Sequence, residues 1–313
     1  MGAYLTRRLL ESLFVLFVMS FVIYGLIALM PGDPVDLMIS ADPNLTAADA
    51  QRLKALYGLD QPFHERYWNW LTSALSGDLG YSRLFAVPVT EVLLPRLGNT
   101  LLLMFAALLV AFIIALPAGL LAARKPGSLA DITINLLAFA GLSSSFWMAI
   151  LLILLFAVHL GWFPAGGTGD GGFVETARHM VLPVMALSIT SIGTLLRHVR
   201  AAVRESMRQD YVRTARAKGL SENRILYGHV LRNAMIPVVT ILALDMGTLF
   251  GGALITETIF GWLGMGKTIY DAVMGNDYNL ALVGLLLATA TVLLANILAD
   301  LVYGWLDPRI EYE

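Results

Sequence analysis

Not one of the 313 residues is cysteine, which excludes disulfides, zinc–thiolate sites and thiol catalysis. Charge is nearly as scarce. Asp, Glu, Lys and Arg together make up 14% of the chain, against about 25% in ordinary soluble domains. The five histidines (64, 159, 179, 198 and 229) are scattered without H-x-x-H or H-E-x-x-H spacing, so no metal site is expected. No Ser/His/Asp constellation and no carboxylate pair falls on one face, so catalysis is not expected either. There is no internal repeat and no low-complexity tract. What the chain has in abundance is apolar surface: 58% hydrophobic residues and a mean hydropathy of +0.72. It reads as an integral membrane protein.

A hydrocarbon core of ~30 Å needs about 20 apolar residues per helix. Six blocks qualify: Leu9–Met30, Thr100–Ala123, Ile132–Leu160, His179–Leu196, Ile236–Ile255 and Leu280–Tyr303. The expected fold is therefore all-α, a single domain over 1–313 with six transmembrane helices. The first block is too long for a removed signal peptide and is expected to remain as an anchor. The third is long enough to tilt or bend, while Pro183 and Pro237 lie near the starts of the fourth and fifth. With Arg7 and Arg8 inside, the inner segments hold fourteen Lys/Arg and the outer ones seven. The short loop at Arg124-Lys125 agrees, so both termini are expected in the cytoplasm. The largest outer segment, 31–98, should be a helical insert. Thr46–Gly58 has a capping threonine and a stop glycine. Phe63–Leu75 places Phe63, Tyr67, Trp70 and Leu71 on one face, suited to the outer leaflet or to a small cap over the bundle.

Between the fourth and fifth blocks lies a mostly polar stretch, Arg197–Asn233, with nine Lys/Arg against Glu205, Asp210 and Glu222. Its positive excess places it in the cytoplasm. It reads as two helices broken at a corner: helix formers run to Lys218, Gly219 supplies the left-handed residue, and Ser221 can cap the next helix. Anionic lipid headgroups would attract such charge, but lipid does not require a glycine-broken corner carrying Tyr211, Val212 and Ala215. A soluble partner with a cleft does.

Two motifs invite other readings. Gly261-Trp-Leu-Gly-Met-Gly266-Lys267-Thr268 fits the phosphate-loop pattern letter for letter. A real phosphate loop needs a preceding strand and access to ATP, whereas this one falls in the outer connection between the last two blocks. Its glycines are expected to form a tight turn, with Trp262 near the headgroups. Met1-Gly2-Ala-Tyr-Leu-Thr6 fits a myristoylation pattern that adds little to a chain crossing the bilayer repeatedly. Asp245 and Asp300 lie inside apolar blocks, where a charge costs ~2.5–3.5 kcal/mol at mid-bilayer. Asp245 is a candidate for the translocation path or for a structural hydrogen bond. Asp300 is a candidate for a structural partner.

Asp210-Tyr-Val-Arg-Thr-Ala-Arg-Ala-Lys-Gly-Leu-Ser221, continuing through His229-Val-Leu-Arg-Asn-Ala-Met-Ile-Pro237, resembles the coupling segment of binding-protein-dependent ABC importers. The wording is that of the dipeptide/oligopeptide permease subfamily. Pro31-Gly-Asp-Pro34, Tyr57-Gly-Leu-Asp60, Gly77-Asp-Leu-Gly80, Gly261-Trp-Leu-Gly264 and Asp307-Pro-Arg-Ile310 agree, so the resemblance covers nearly the whole length. It points to the permease subunit with the long outer insert. The general importer signature reads Glu-Ala-Ala, three residues, Gly. Aligned on Gly219, its triplet falls on Arg213, Thr214 and Ala215, two of which depart from it. The resemblance implies that 197–234 is the coupling segment, with Tyr211, Arg213, Thr214, Ala215, Arg216, Ala217, Lys218, Gly219 and Leu220 meeting the ATPase. It further implies a second, homologous permease, two cytoplasmic ATPase subunits and an outer solute-binding protein, in a bacterial inner membrane. ATP and Mg would then be bound by the ATPase partners, and this chain would carry no cofactor and catalyse nothing. A transporter or channel working alone is the alternative; it would want more charged, broken helices at mid-membrane and would leave the corner idle.

Overall fold

The computed structural model describes residues 2–29, 61–140, 145–169 and 171–306. The described residues are helical apart from turns and one isolated bridge, Tyr81 with Pro88. In chain order the helices are α1 (Gly2–Ala28), α2 (Phe63–Leu75), α3 (Val89–Arg124), α4 (Leu129–Ala140), α5 (Ser145–Leu152), α6 (Phe173–Met207), α7 (Asp210–Ala217), α8 (Glu222–Ile225), α9 (Leu231–Phe260), α10 (Met265–Met274) and α11 (Tyr278–Leu306). A π-helical stretch, Ile153–His159, continues α5, and a second, Leu226–Val230, joins α8 to α9.

Each apolar block becomes helix because hydrocarbon offers backbone groups no partner but the helix itself. Among the described residues, five helical segments are long and apolar enough to cross a membrane: Thr6–Ala28, Val89–Arg124, Phe173–Met207, Glu222–Phe260 and Tyr278–Val302. Of the third block, the part within Leu129–Ala140 (α4) and Ser145–Leu152 (α5) with its π stretch is helical, and 141–144 lie outside the described residues. Pro183 and Pro237 do not start helices; both lie within them, as do Pro95 and Pro117 in α3. Membrane helices accept proline because neighbouring groups take up the freed carbonyls.

Two buried clusters dominate. One joins Ile23 and Ile27 of α1 to Leu103 of α3, Phe250 of α9, Ile269 of α10 and Leu280 of α11. The other joins Leu120 of α3 to Val199 and Val203 of α6, Val212 of α7, Ile225 of α8 and Val230. Between α3 and α6 the backbones come close: a Cβ on Gly119 would lie 2.7 Å from Val199 Cγ1 and 3.1 Å from the Leu196 carbonyl.

The face expected on α2 is the one it buries. Phe63, Tyr67 and Trp70 stack against Phe21 and Tyr24 of α1 at ring separations of 5.2–5.8 Å, and Tyr67 and Ser20 share a buried hydrogen bond of 2.9 Å. Trp68, on the opposite face, is exposed. This helix is thus braced on α1. The helix expected over Thr46–Gly58, and the segments Pro31–Pro34 and Asp307–Ile310, lie outside the described residues.

Polar contacts between distant parts of the chain gather at two ends. At one, Asn99 meets Leu263, Ser82 meets Asp277, and Gly167 meets Phe260. At the other, Arg8 meets Asp300, Arg124 meets Asn223, and Arg200 meets Asp131. These are the two groups of connections that the alternation of spans requires.

Candidate functional site

At the second end the chain leaves α6 and turns a corner. Helix α7 ends as its sequence dictates. Gly219 sits at φ +75°, its N–H donates to the Arg216 carbonyl at 2.9 Å, and the Leu220 N–H reaches back to the Ala215 carbonyl at 3.3 Å. That is the paired closure of a glycine-terminated helix. Ser221 takes the extended cap conformation before α8, but its side chain makes no capping bond; contrary to expectation, its carbonyl supplies the link, accepting from the Ile225 N–H at 3.0 Å. Arg216 and Glu222 close the corner with two hydrogen bonds of 2.7 and 3.1 Å.

Of the residues expected to meet a partner, Tyr211, Arg213, Thr214, Arg216, Ala217, Lys218 and Gly219 are exposed. Ala215 is buried with Val212, and both pack against Val203, Ile225 and Val230; Leu220 is half-buried against the same cluster. The division follows helical spacing: Val212 and Ala215 fix the element, and the opposite side faces water. Asp245 is not brought to the corner. It lies midway along α9, half-buried, and accepts a 2.9 Å hydrogen bond from Thr248 of its own helix. Asp300 pairs with Arg8 across α1 and α11 at 3.1 Å, a structural partnership.

Around the corner lie contacts the sequence did not announce. Asp131, 3% exposed, receives both Nε and Nη2 of Arg200 at 2.7 Å. The Gly127 N–H at 2.9 Å and Asn135 Nδ2 at 2.7 Å complete its shell. The Arg200 guanidinium, with the Gly127 N–H, holds this carboxyl down at about 2, so the pair stays ionised throughout the physiological range.

At the opposite end the phosphate-loop look-alike has a physical explanation. Gly261, at φ +60°, ends α9, and the following turn brings the start of α10 onto Glu257, a fully buried carboxylate. Thr100 Oγ1 donates to Glu257 Oε1 at 2.5 Å, and the Lys267 N–H donates to Oε2 at 3.0 Å. The Met265 N–H in turn donates to Thr100 Oγ1 at 2.8 Å. A helix N-terminus attracts an anion, and here the chain's own carboxylate fills that place. A Cβ on Gly264 would fall inside this carboxylate, and one on Gly266 would lie 2.6 Å from the Leu254 Cα, so the glycines serve close packing around Glu257. The Lys267 ammonium turns away to Asp271 at 2.5 Å. Trp262 is packed inside the protein: it is 1% exposed, with Nε1 donating to the Asn99 carbonyl at 3.3 Å. Nearby, buried Asp277 caps α11 through the Leu280 N–H and also accepts from Ser82 and the Leu84 N–H. Glu257 falls two residues beyond the fifth apolar block; an acid following a long apolar run and preceding a glycine pair was the available signal.

The family described as "Binding-protein-dependent transport system inner membrane component" matches residues 115–312, and its N-terminal companion matches residues 1–104. This chain belongs to that permease family. An oligopeptide transport system permease protein of Bacillus subtilis is 37% identical over 318 residues, covering all of both chains. A di/tripeptide transport system permease protein of Pseudomonas aeruginosa is 38% identical, again over all of both chains. The dipeptide transport system permease protein of Escherichia coli K12 is 37% identical over 93% of each. The resemblance to the dipeptide/oligopeptide permeases thus holds over the full length. The fold is shared with solved transporters. An inward-facing MetNI methionine ABC transporter superposes with a TM-score of 0.56 at 19% identity, covering 67% of the permease and 94% of that chain. An amino acid ABC transporter gives 0.56 at 16% identity, covering 71% and 95%.

Proposed function

We propose that this permease forms the translocation path of an ATP-driven importer for di- or oligopeptides, delivered by an outer binding protein. It works beside a second, homologous permease in a bacterial inner membrane, with both termini inside. Two cytoplasmic ATPase subunits bind ATP and Mg, and one docks on the corner through Tyr211, Arg213, Thr214, Arg216, Ala217, Lys218 and Gly219. Ala215 and Leu220 hold that surface from behind. The observation that carries this reading is the construction of the corner. Its inner face is buried, its turn is closed by backbone and ion-pair bonds, and its outer face is bare. An exposed helix end prepared in this way suits a cleft on a soluble subunit. The peptide substrate rests on the kinship with oligopeptide, di/tripeptide and dipeptide permeases. A transporter working alone gains no support from Asp245, whose carboxylate is bonded to its own helix.

The absence of cysteine makes the test direct. In inverted vesicles an impermeant thiol reagent should label Thr214→Cys, and added ATPase subunits should block that labelling; Ser73→Cys should react only from the opposite, outer side. Labelling of Thr214→Cys from outside, or no protection by the ATPase, would overturn the reading. Import of labelled dipeptide by the complete complex in liposomes tests the substrate.

Lys267 has no part in hydrolysis on this reading, because its main chain serves Glu257 and its ammonium serves Asp271. In the assembled complex Lys267→Ala should keep ATP hydrolysis within about twofold, a difference of ~0.4 kcal/mol. Abolished hydrolysis in an intact complex would restore the nucleotide reading of Gly261–Thr268.

A further inference from the structure

We propose that Asp131 and Arg200 are positioning residues of the transport stroke, a clamp that makes the start of the third apolar block move with the corner. The inference rests on the corner being where the ATPase acts.

Helix α6 carries Arg200 and ends at Met207, and only Arg208 and Gln209 separate it from α7, so a displacement of the corner is passed to Arg200 through a two-residue link. Arg200 grips Asp131 with a two-point fork of 2.7 Å bonds, and a fork fixes orientation as well as distance. Asp131 is itself held from its own side. The Gly127 N–H and Asn135 donate to its carboxylate, and its N–H donates to Ser128 Oγ at 3.2 Å. Loop 125–128 and the first turn of α4 therefore form one hydrogen-bonded unit with Arg200. A second link approaches from the far side of the corner, where Arg124, at the end of α3, donates to Asn223 of α8. Gly119 packs closely against Val199, the residue immediately before Arg200, so α3 and α6 are in close contact at the clamp. The corner is thus tied on both flanks to the loop 125–128 and the helix ends beside it. Surface ion pairs contribute little, but this pair is largely shielded and leaves no polar atom of the carboxylate idle. Its loss would free α4 from α6.

The variants to compare are Arg200→Lys, which keeps the charge but loses the fork, Arg124→Ala, which removes an exposed link only, and the exchanged pair Asp131→Arg/Arg200→Asp. Each is purified with its ATPase, permease and binding-protein partners and placed in liposomes. ATP hydrolysed per labelled dipeptide imported is then measured. Arg200→Lys is expected to assemble and to raise that ratio by about fivefold or more, Arg124→Ala to raise it less, and the exchanged pair to bring it back toward wild type. A purely structural clamp would lower thermal stability while the surviving complexes kept the wild-type ratio; that result overturns the proposal. An unchanged ratio with Thr214→Cys still protected by the ATPase removes the clamp and spares the docking reading. Loss of that protection in the parent complex removes both.

Discussion

Gly219→Val should leave the membrane bundle folded and inserted while the complex loses its grip on the ATPase or wastes its ATP. The reason lies in the backbone. Gly219 is at φ +75°, where a side chain costs about 1–2 kcal/mol, and a β-branched one at least that much. No atom lies within 4 Å of the place a Cβ would occupy, so the penalty is conformational and not a clash. The chain can avoid it only by straightening the turn, which breaks the Leu220 to Ala215 closure and moves Lys218 and Arg216 off their present line. Gly219→Asn, which tolerates the left-handed region, should be milder. Two measurements decide the matter: ATPase subunits retained on the purified permease, and substrate-stimulated hydrolysis in liposomes. Wild-type values in both for Gly219→Val would show that the corner is not where coupling occurs.

The second large effect is expected at the other end, around Glu257. Glu257→Ala strands the Lys267 N–H and the Thr100 hydroxyl in a buried place, and each unsatisfied donor costs about 1–3 kcal/mol. Gly264→Ala should be nearly as damaging by a different route. Its backbone, at φ −100° and ψ −178°, suits any residue, but the new methyl displaces the Glu257 carboxylate from its donors. The two substitutions should therefore not add. In the Glu257→Ala background the clash has lost its partner, so Gly264→Ala should cost less there, with a coupling of about 0.5–3 kcal/mol. Thermal unfolding of the four proteins in detergent measures the cycle. Strict additivity would mean that the carboxylate and the glycine do not share the site.

The parts of this permease that could be read in advance are those set by neighbours in sequence. Apolar runs announced the long helices, the spacing of Phe63, Tyr67 and Trp70 announced a buried face, and Gly219 announced a turn. The parts that could not be read depend on residues far apart. Arg200 and Asp131 are 69 positions apart, and Thr100 and Glu257 are 157 apart; nothing local marks either pair. Trp262 was expected at the headgroups because a tryptophan at the end of a span suits the interface; what sequence did not announce is that the turn after Gly261 buries its ring in the protein. Ser221 stands at the cap position with the extended backbone of a cap, but its hydroxyl makes no capping bond. In the corner proposed to dock the ATPase, the structure sorts two faces, with Ala215 turned inward and Thr214 outward.

The π stretch at Leu226–Val230 sets an angular phase. An α-helix advances about 100° per residue, and a π turn accommodates one residue more than its α counterpart. The corner and the long shaft of α9 are therefore joined through a dial with a single surplus notch. Removing one residue there would return the segment to α pitch with the corner in nearly its present phase, whereas keeping the count and closing the π turn to α pitch would swing the corner by roughly a quarter-turn about the shaft. The direction in which Tyr211, Thr214 and Lys218 face thus depends on one residue between Ile225 and Leu231 being taken up as a π turn.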